Sequence, residues 1–173
     1  SRQVPAGIGK FAEQLGRPYR ILINNELLKV PEVRPYSLPV DFEETEAALR
    51  NNMKMRAEAL RLLKEGVTII VFPGGGVATA RRPFGRAEEL PWKTFTAKMI
   101  RSSKATVLPL FFEGQNSPLF HFVSRFSLTL RLALLVREFR RIVGSAIAVR
   151  IGDPIPYADL AAFGDQKAMI EHL

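Results

Sequence analysis

The residues of this chain best placed to do chemistry are the run Phe72-Pro73-Gly74-Gly75-Gly76, with Arg81 and Arg82 close behind. Three successive glycines expose backbone N–H groups that no side chain shields. Such amides can form a concave anion site just beyond a strand. Arginines nearby would add charge and a planar fork that matches phosphate or carboxylate. The same run also fits a tight turn after a core strand. Outside it, reactive groups are sparse. There are no cysteines, which excludes a disulfide scaffold, a thiolate metal site and cysteine catalysis. The two histidines, His121 and His172, lie far apart without metal-ligand spacing. His121 sits between Phe120 and Phe122 and reads better as a packed or interfacial histidine than as a base. His172 is terminal and is expected to be disordered.

Elements that could position the turn follow from the apolar pattern. Residues 67–72 form a β-branched run that reads as a buried strand, with Pro73 as its stop. Short strands are expected over 20–24 and 38–41, a longer one over 105–112, and a last one over 146–151. Helices are expected over 42–64, 92–103 and 128–143. In the first, Glu43, Glu44 and Glu46 favour the N-terminal end and Lys64 the C-terminal end. Ala48, Met55, Ala59 and Leu62 or Leu63 mark its apolar side, and Gly66 can end it. Phe95, Met99 and Ile100 face inward on the second. Strands separated by helices predict an α/β fold, with a mostly parallel sheet flanked by helices. At 173 residues and 47% hydrophobic content the chain can bury one good core, so one domain over 1–173 is expected. The chain starts at Ser1 rather than Met, and the expectation is an N-terminally incomplete domain.

In parallel sheets, ligands sit beyond the carboxyl ends of the strands. Three segments take those positions: Asn24-Asn25-Glu26, the turn from Pro73, and residues 111–116. Arg81, Arg82, Arg86 and Arg125 could line a rim, or each could be a solvated surface charge. Other phosphate-binding patterns fail. A dinucleotide fingerprint would need a glycine where Thr79 stands, Pro83 obstructs a long helix, and no acid follows at the required place. No P-loop lysine follows the glycines, and no Gly-x-Ser-x-Gly elbow occurs.

The net charge of +8 implies attraction to something anionic. Basic residues are not interleaved with aromatics as in known RNA-binding motifs, and no nucleic-acid partner is expected. No stretch approaches the ~20 apolar residues of a bilayer span, and no signal peptide is visible. Residues 119–139 combine dense apolar side chains with Arg125, Arg131 and Arg137, and Arg140 and Arg141 follow. This fits either a basic amphipathic helix on a membrane surface or a core helix with a solvated basic face.

The ordered motifs resemble the glycerolipid and lysophospholipid acyltransferases, particularly their bacterial hemolysin-like branch. Residues 25–31 look like the stretch leading to that family's second motif, and Leu38-Pro39-Val40-Asp41 like the strand carrying it. Val71-Phe72-Pro73-Gly74-Gly75 is similar to the Phe-Pro-Glu-Gly third motif, and Val107-Leu108-Pro109 to the fourth. Residues 115–125 and 151–156 are also similar to that branch. Together these cover most of the chain.

The resemblance implies acyl transfer from acyl-CoA or acyl-carrier protein to a lysophospholipid-like acceptor, with no further cofactor and no metal. It also implies a peripheral position on the cytoplasmic face of a membrane, with an anionic membrane surface as partner. The acceptor site it implies comprises Phe72, Pro73, Gly74, Gly75, Gly76, Arg81, Arg82 and Pro109. The family's first motif supplies a His as general base and an Asp that orients it. In the faintly similar segment at 4–10, Val4 stands where the His should be and Lys10 where the Asp should be, so no catalytic residue is assigned. Phe42 replaces an expected Arg, Gly74 the third motif's Glu, and Val77 its Arg. Two alternative functions stand beside acyl transfer: a non-catalytic anionic-lipid-binding domain of the same fold, and a basic nucleic-acid-binding domain.

Overall fold

The computed structural model of the chain describes residues 2–5, 16–25, 28, 31–41, 45–75, 79–80, 87–88, 90–112 and 146–173. In chain order the elements are β1 (Arg2–Pro5), β2 (Tyr19–Asn24), a 3-10 helix (Pro31–Tyr36), β3 (Ser37–Val40), α1 (Glu46–Lys64) and β4 (Thr68–Ile70). Then follow β5 (Thr79–Ala80), β6 (Ala87–Glu88), α2 (Phe95–Ser103), β7 (Leu110–Phe112), β8 (Ala146–Ile151), α3 (Tyr157–Ala161) and α4 (Gln166–His172). The fold is α/β, as the alternating pattern predicts. The helix expected over 128–143 lies outside the described residues. Among the described residues no helix is long and apolar enough to cross a membrane.

Contacts divide the chain into two units. The first comprises 12–73, 92–107 and 154–173. Its centre is a three-stranded parallel sheet in the order β3-β2-β4. Ile21 to Asn24 pair with Ser37 to Val40, and Tyr19 to Ile21 with Thr68 to Ile70. Parallel strands need a crossover, and α1 supplies it between β3 and β4. Thr45 opens that helix: its Oγ1 accepts the N–H of Ala48 at 3.1 Å. The other end closes at Gly66, where a φ of +83° allows Gly66 N–H and Val67 N–H to reach Leu63 O and Leu62 O. Between these stops the apolar stripe Ala48, Met55, Ala59 and Leu62 is buried, as its spacing predicts. Met55, Ala59 and Leu62 join Leu22, Leu38 and Met99 in one core.

Helix α2 starts at Phe95, later than position 92, and just ahead of it Lys93 N–H donates to Pro73 O at 3.0 Å. A second core gathers Ala97 and Ile100 with Leu160 and Met169. Arg101 pins the loop beyond α3 by donating to Phe163 O and Gly164 O at 2.7 and 2.9 Å. The expectation that His172 is disordered is corrected: it ends α4, whose Met169 is fully buried, and its ring packs 4.5 Å from Phe163.

The second unit comprises 1–11, 74–91 and 108–153. Its main feature is an antiparallel three-stranded sheet in the order β1-β8-β7. Val149 is its buried residue, packed with Leu110 and Phe112. The strand expected over 105–112 is broken: β7 holds only Leu110–Phe112, while Val107 belongs to the first unit and bridges Ile155. Pro109 has no N–H to continue a ladder, which is the physical reason for a break there. Strands β5 and β6 form a two-stranded antiparallel pair.

Candidate functional site: the strand ends and the glycine turn

Within the first unit, the register places the carboxyl ends of all three parallel strands on one edge, the position where parallel sheets hold ligands. Asn24 ends β2 and Asn25 follows it, Asp41 follows β3, and Phe72 and Pro73 follow β4. The edge is braced from behind. Asn52 of α1 accepts Asp41 N–H at 2.9 Å and donates to Asp41 O at 2.7 Å. That reciprocal pair fixes the chain leaving β3. Sequence reasoning missed Asn52. The available signal was a side-chain amide on the margin of a helix's buried stripe. The strand runs only to Ile70, and Phe72 is half-exposed, so the expected core strand over 67–72 gives out before the turn.

Gly74 and Gly75 belong to the second unit, so the unit boundary falls within the motif, after Pro73. The two glycines are required for different reasons. A Cβ at Gly74 would meet Leu90 O at 3.0 Å, so the chain passing at Leu90 occupies the space a side chain would need. This accounts for a glycine where the resemblance expects Glu. Gly75 instead has φ of +68°, a left-handed conformation that a β-branched residue adopts only with strain. Gly74 is buried and Gly75 exposed, so an incoming group can reach the second glycine. Also in the second unit, Pro109 O accepts Gly152 N–H at 3.0 Å, which ties the segment before β7 to the end of β8.

Gly76, Arg81, Arg82, Arg86, Arg125, Lys10, Phe42, Val77 and His121 lie outside the described residues. Val4, at the position matched to the base, sits in β1 with Ile147 of β8 as its backbone partner. The structure therefore brings Asn24, Asp41, Phe72 and Pro73 to one sheet edge. It describes Gly74, Gly75 and Pro109 within the other unit.

Comparison with known proteins follows the same direction as the motifs. The profile of a family described as acyltransferase matches residues 6–173. The lyso-glycine lipid O-acyltransferase of Phocaeicola vulgatus is 29% identical over 154 residues, a stretch covering 83% of this chain and 52% of the relative. The chain thus spans about half the length of that curated relative.

Proposed function

This chain belongs to the acyltransferase family, and on that premise we propose that it serves in moving a fatty acyl group from acyl-CoA or acyl-carrier protein to a lysolipid hydroxyl. In that reaction the acceptor oxygen forms an ester bond to the acyl carbon. The thioester C–S bond breaks, and the sulfur leaves as a thiol carrying the proton the hydroxyl gave up. The observation that carries the proposal is the family match over nearly the whole chain. Support comes from a strand-Pro-Gly-Gly-Gly motif following a parallel strand. The relative's acceptor, a lyso-glycine lipid, heads the candidates for this chain. Phe72, Pro73, the amides of Gly74 to Gly76, Arg81 or Arg82, and Pro109 form the proposed acceptor site. Residues 119–141 provide a second basic, apolar surface for an anionic membrane.

A second reading, a lipid-binding domain of the same family without turnover, rests on one observation. No histidine precedes His121 in the sequence, and Val4 and Lys10 stand at the positions matched to the base and its partner. An alcohol is a poor nucleophile near neutral pH, and general-base catalysis typically supplies ~10²–10⁴-fold. The deciding experiment is transfer of a labelled acyl group to a panel of lysolipids that includes a lyso-glycine lipid. Little or no turnover with retained lipid binding is the expected result for the chain as given. Robust turnover overturns that expectation and points to His121, in which case His121→Ala abolishes the rate. Gly75→Val tests the acceptor site separately: it should weaken binding of a lysolipid or phosphate analogue. Unchanged affinity in a folded variant sinks the glycine cradle.

A further inference from the structure

We infer that the Asp41 carboxylate accepts a hydrogen bond from the hydroxyl of the acyl acceptor, and that Asn52 is its positioning residue. This deepens the acyl-transfer reading and rests on it. The starting point is a polar residue where α1 turns apolar. Ala48, Met55, Ala59 and Leu62 form the buried stripe of that helix, and Asn52 lies on its margin between Ala48 and Met55. Asn is a poorer helix former than Ala or Leu, and an apolar side chain there would widen the stripe. Both ends of the Asn52 amide go to a single residue. Oδ1 accepts Asp41 N–H at 2.9 Å, and Nδ2 donates to Asp41 O at 2.7 Å.

Those two backbone groups lie just past the ladder, whose last register pair joins Asn24 to Val40. Water can serve such groups at the open end of a strand, so the net stability gained is modest. What the pair adds is orientation. A planar amide bonded to both the N–H and the C=O of one residue fixes the rotation of that residue about the chain, and with it the direction of its Cα–Cβ bond. Leu38 and Val40 pack into the core shared with α1, so strand alternation turns Asp41 to the opposite face. Helix α1 thus grips the backbone from one face and sets the half-buried carboxylate on the other.

The far side of the same edge is also held. Pro73 O, beyond β4, accepts Lys93 N–H at 3.0 Å. Strand β2 lies between β3 and β4, so the two held exits stand two strand spacings, ~10 Å, apart. A gap of that width admits the polar end of a lysolipid. A carboxylate on one side suits a free hydroxyl, because a hydrogen bond to an ionised acceptor is shorter and stronger than a neutral one.

The test is binding of short-chain probes below their micelle concentrations. The probes are a lyso-glycine lipid and lysophosphatidic acid, each beside its analogue lacking the free hydroxyl. The unaltered chain is compared with Asp41→Ala, Asn52→Ala, the double variant, and Thr45→Ala as a control that loosens the same helix at its first turn. All are measured well below their melting transitions. Affinity for the hydroxyl-bearing probe should fall about tenfold in Asp41→Ala and about fivefold in Asn52→Ala. The double variant should bind no more weakly than Asp41→Ala, because Asn52 then has no carboxylate to position. Affinity for the deoxy analogue should stay the same throughout, and Thr45→Ala should bind like the unaltered chain. If Asn52→Ala does not fold, Asn52→Asp replaces it: its carboxylate accepts Asp41 N–H but cannot donate to Asp41 O, so the same selective loss is expected, at smaller size. Equal losses for the hydroxyl and deoxy probes mean that Asn52 only supports the fold, and overturn the proposal. Unchanged affinities overturn it too, as do losses that add in the double variant. If the unaltered chain binds no hydroxyl-bearing probe, the acyl-acceptor reading falls and takes this one with it. That outcome is distinct from selective binding that neither residue alters, which overturns this proposal alone.

Discussion

The parallel sheet and the antiparallel sheet are each three-stranded, yet they are held together differently. In the first, β2, β3 and β4 are drawn from residues 19–70, and α1 lays a stripe of small and large apolar residues across them. Ala48 and Ala59 are fully buried, so helix and sheet approach closely along the stripe. In the second, strands from residues 2–5, 110–112 and 146–151 meet, and among the described residues their core reduces to Val149 with two half-buried partners. The lesson is that hydrogen-bonded strands alone do not make a stable layer. A covering element with a continuous apolar stripe does.

The largest expected effect follows directly. Met55→Ala removes a side chain packed with Leu22, Leu38, Leu62 and Met99, and should destabilise the protein by ~2–5 kcal/mol. Val149→Ala, in the thinner core, should cost roughly 1–2 kcal/mol. Denaturant melts of both variants check the ordering. Equal losses would break the contrast and show that the antiparallel sheet is covered more deeply than its described residues reveal.

The same contrast explains what the sequence could and could not tell. The buried stripe of α1, its stop at Gly66 and the strands expected over 20–24 and 38–41, found at 19–24 and 37–40, follow from local pattern, so they were legible. Strand β1 was not. Arg2-Gln3-Val4-Pro5 has no strand signature, and its partner at Ala146–Ile151 lies more than a hundred positions away. Long-range antiparallel pairing leaves no local pattern to read. The break at Pro109 was visible as a proline but not as the end of a pairing, since Val107 and Leu110 pair on opposite sides of it. At the candidate site, the need for glycine at position 75 was legible as a turn. The reason for glycine at position 74 was not, because it is set by Leu90, sixteen residues on.

A smaller effect should come from the start of α1. Thr45→Ala removes the oxygen that accepts Ala48 N–H, and should cost ~1 kcal/mol. Hydrogen exchange is the sharper readout. Protection should fall in the first turns of α1, and with it in β3, which Asn52 ties to the helix through Asp41. The antiparallel sheet should keep its protection. A uniform fall across both sheets would mean that the two units unfold together.

The smallest effect is one of pH, at the start of α4. Asp165 Oδ1 accepts Lys167 N–H at 2.6 Å and Ala168 N–H at 2.9 Å, which caps the helix. The bond from Ala168, then that from Lys167, holds the Asp165 carboxyl below its ordinary range. A carboxyl whose folded pKa is depressed stabilises the fold fully above its unfolded value, about 3.9, and that contribution is lost as pH falls through the folded value. Asp165→Asn keeps an oxygen at the cap but removes the titrating charge, and Asn caps about as well as Asp. The gap in melting temperature between the unaltered chain and Asp165→Asn should therefore be small at neutral pH, about 2 °C. It should close in acid, where the aspartate is protonated. Melts from about pH 7 to about pH 3 check this. A gap that stays constant into acid would show that the cap acts by geometry alone, with no part for its charge. The loss should register in α3 and α4, where Leu160 and Met169 are fully buried, and leave β7 and β8 untouched.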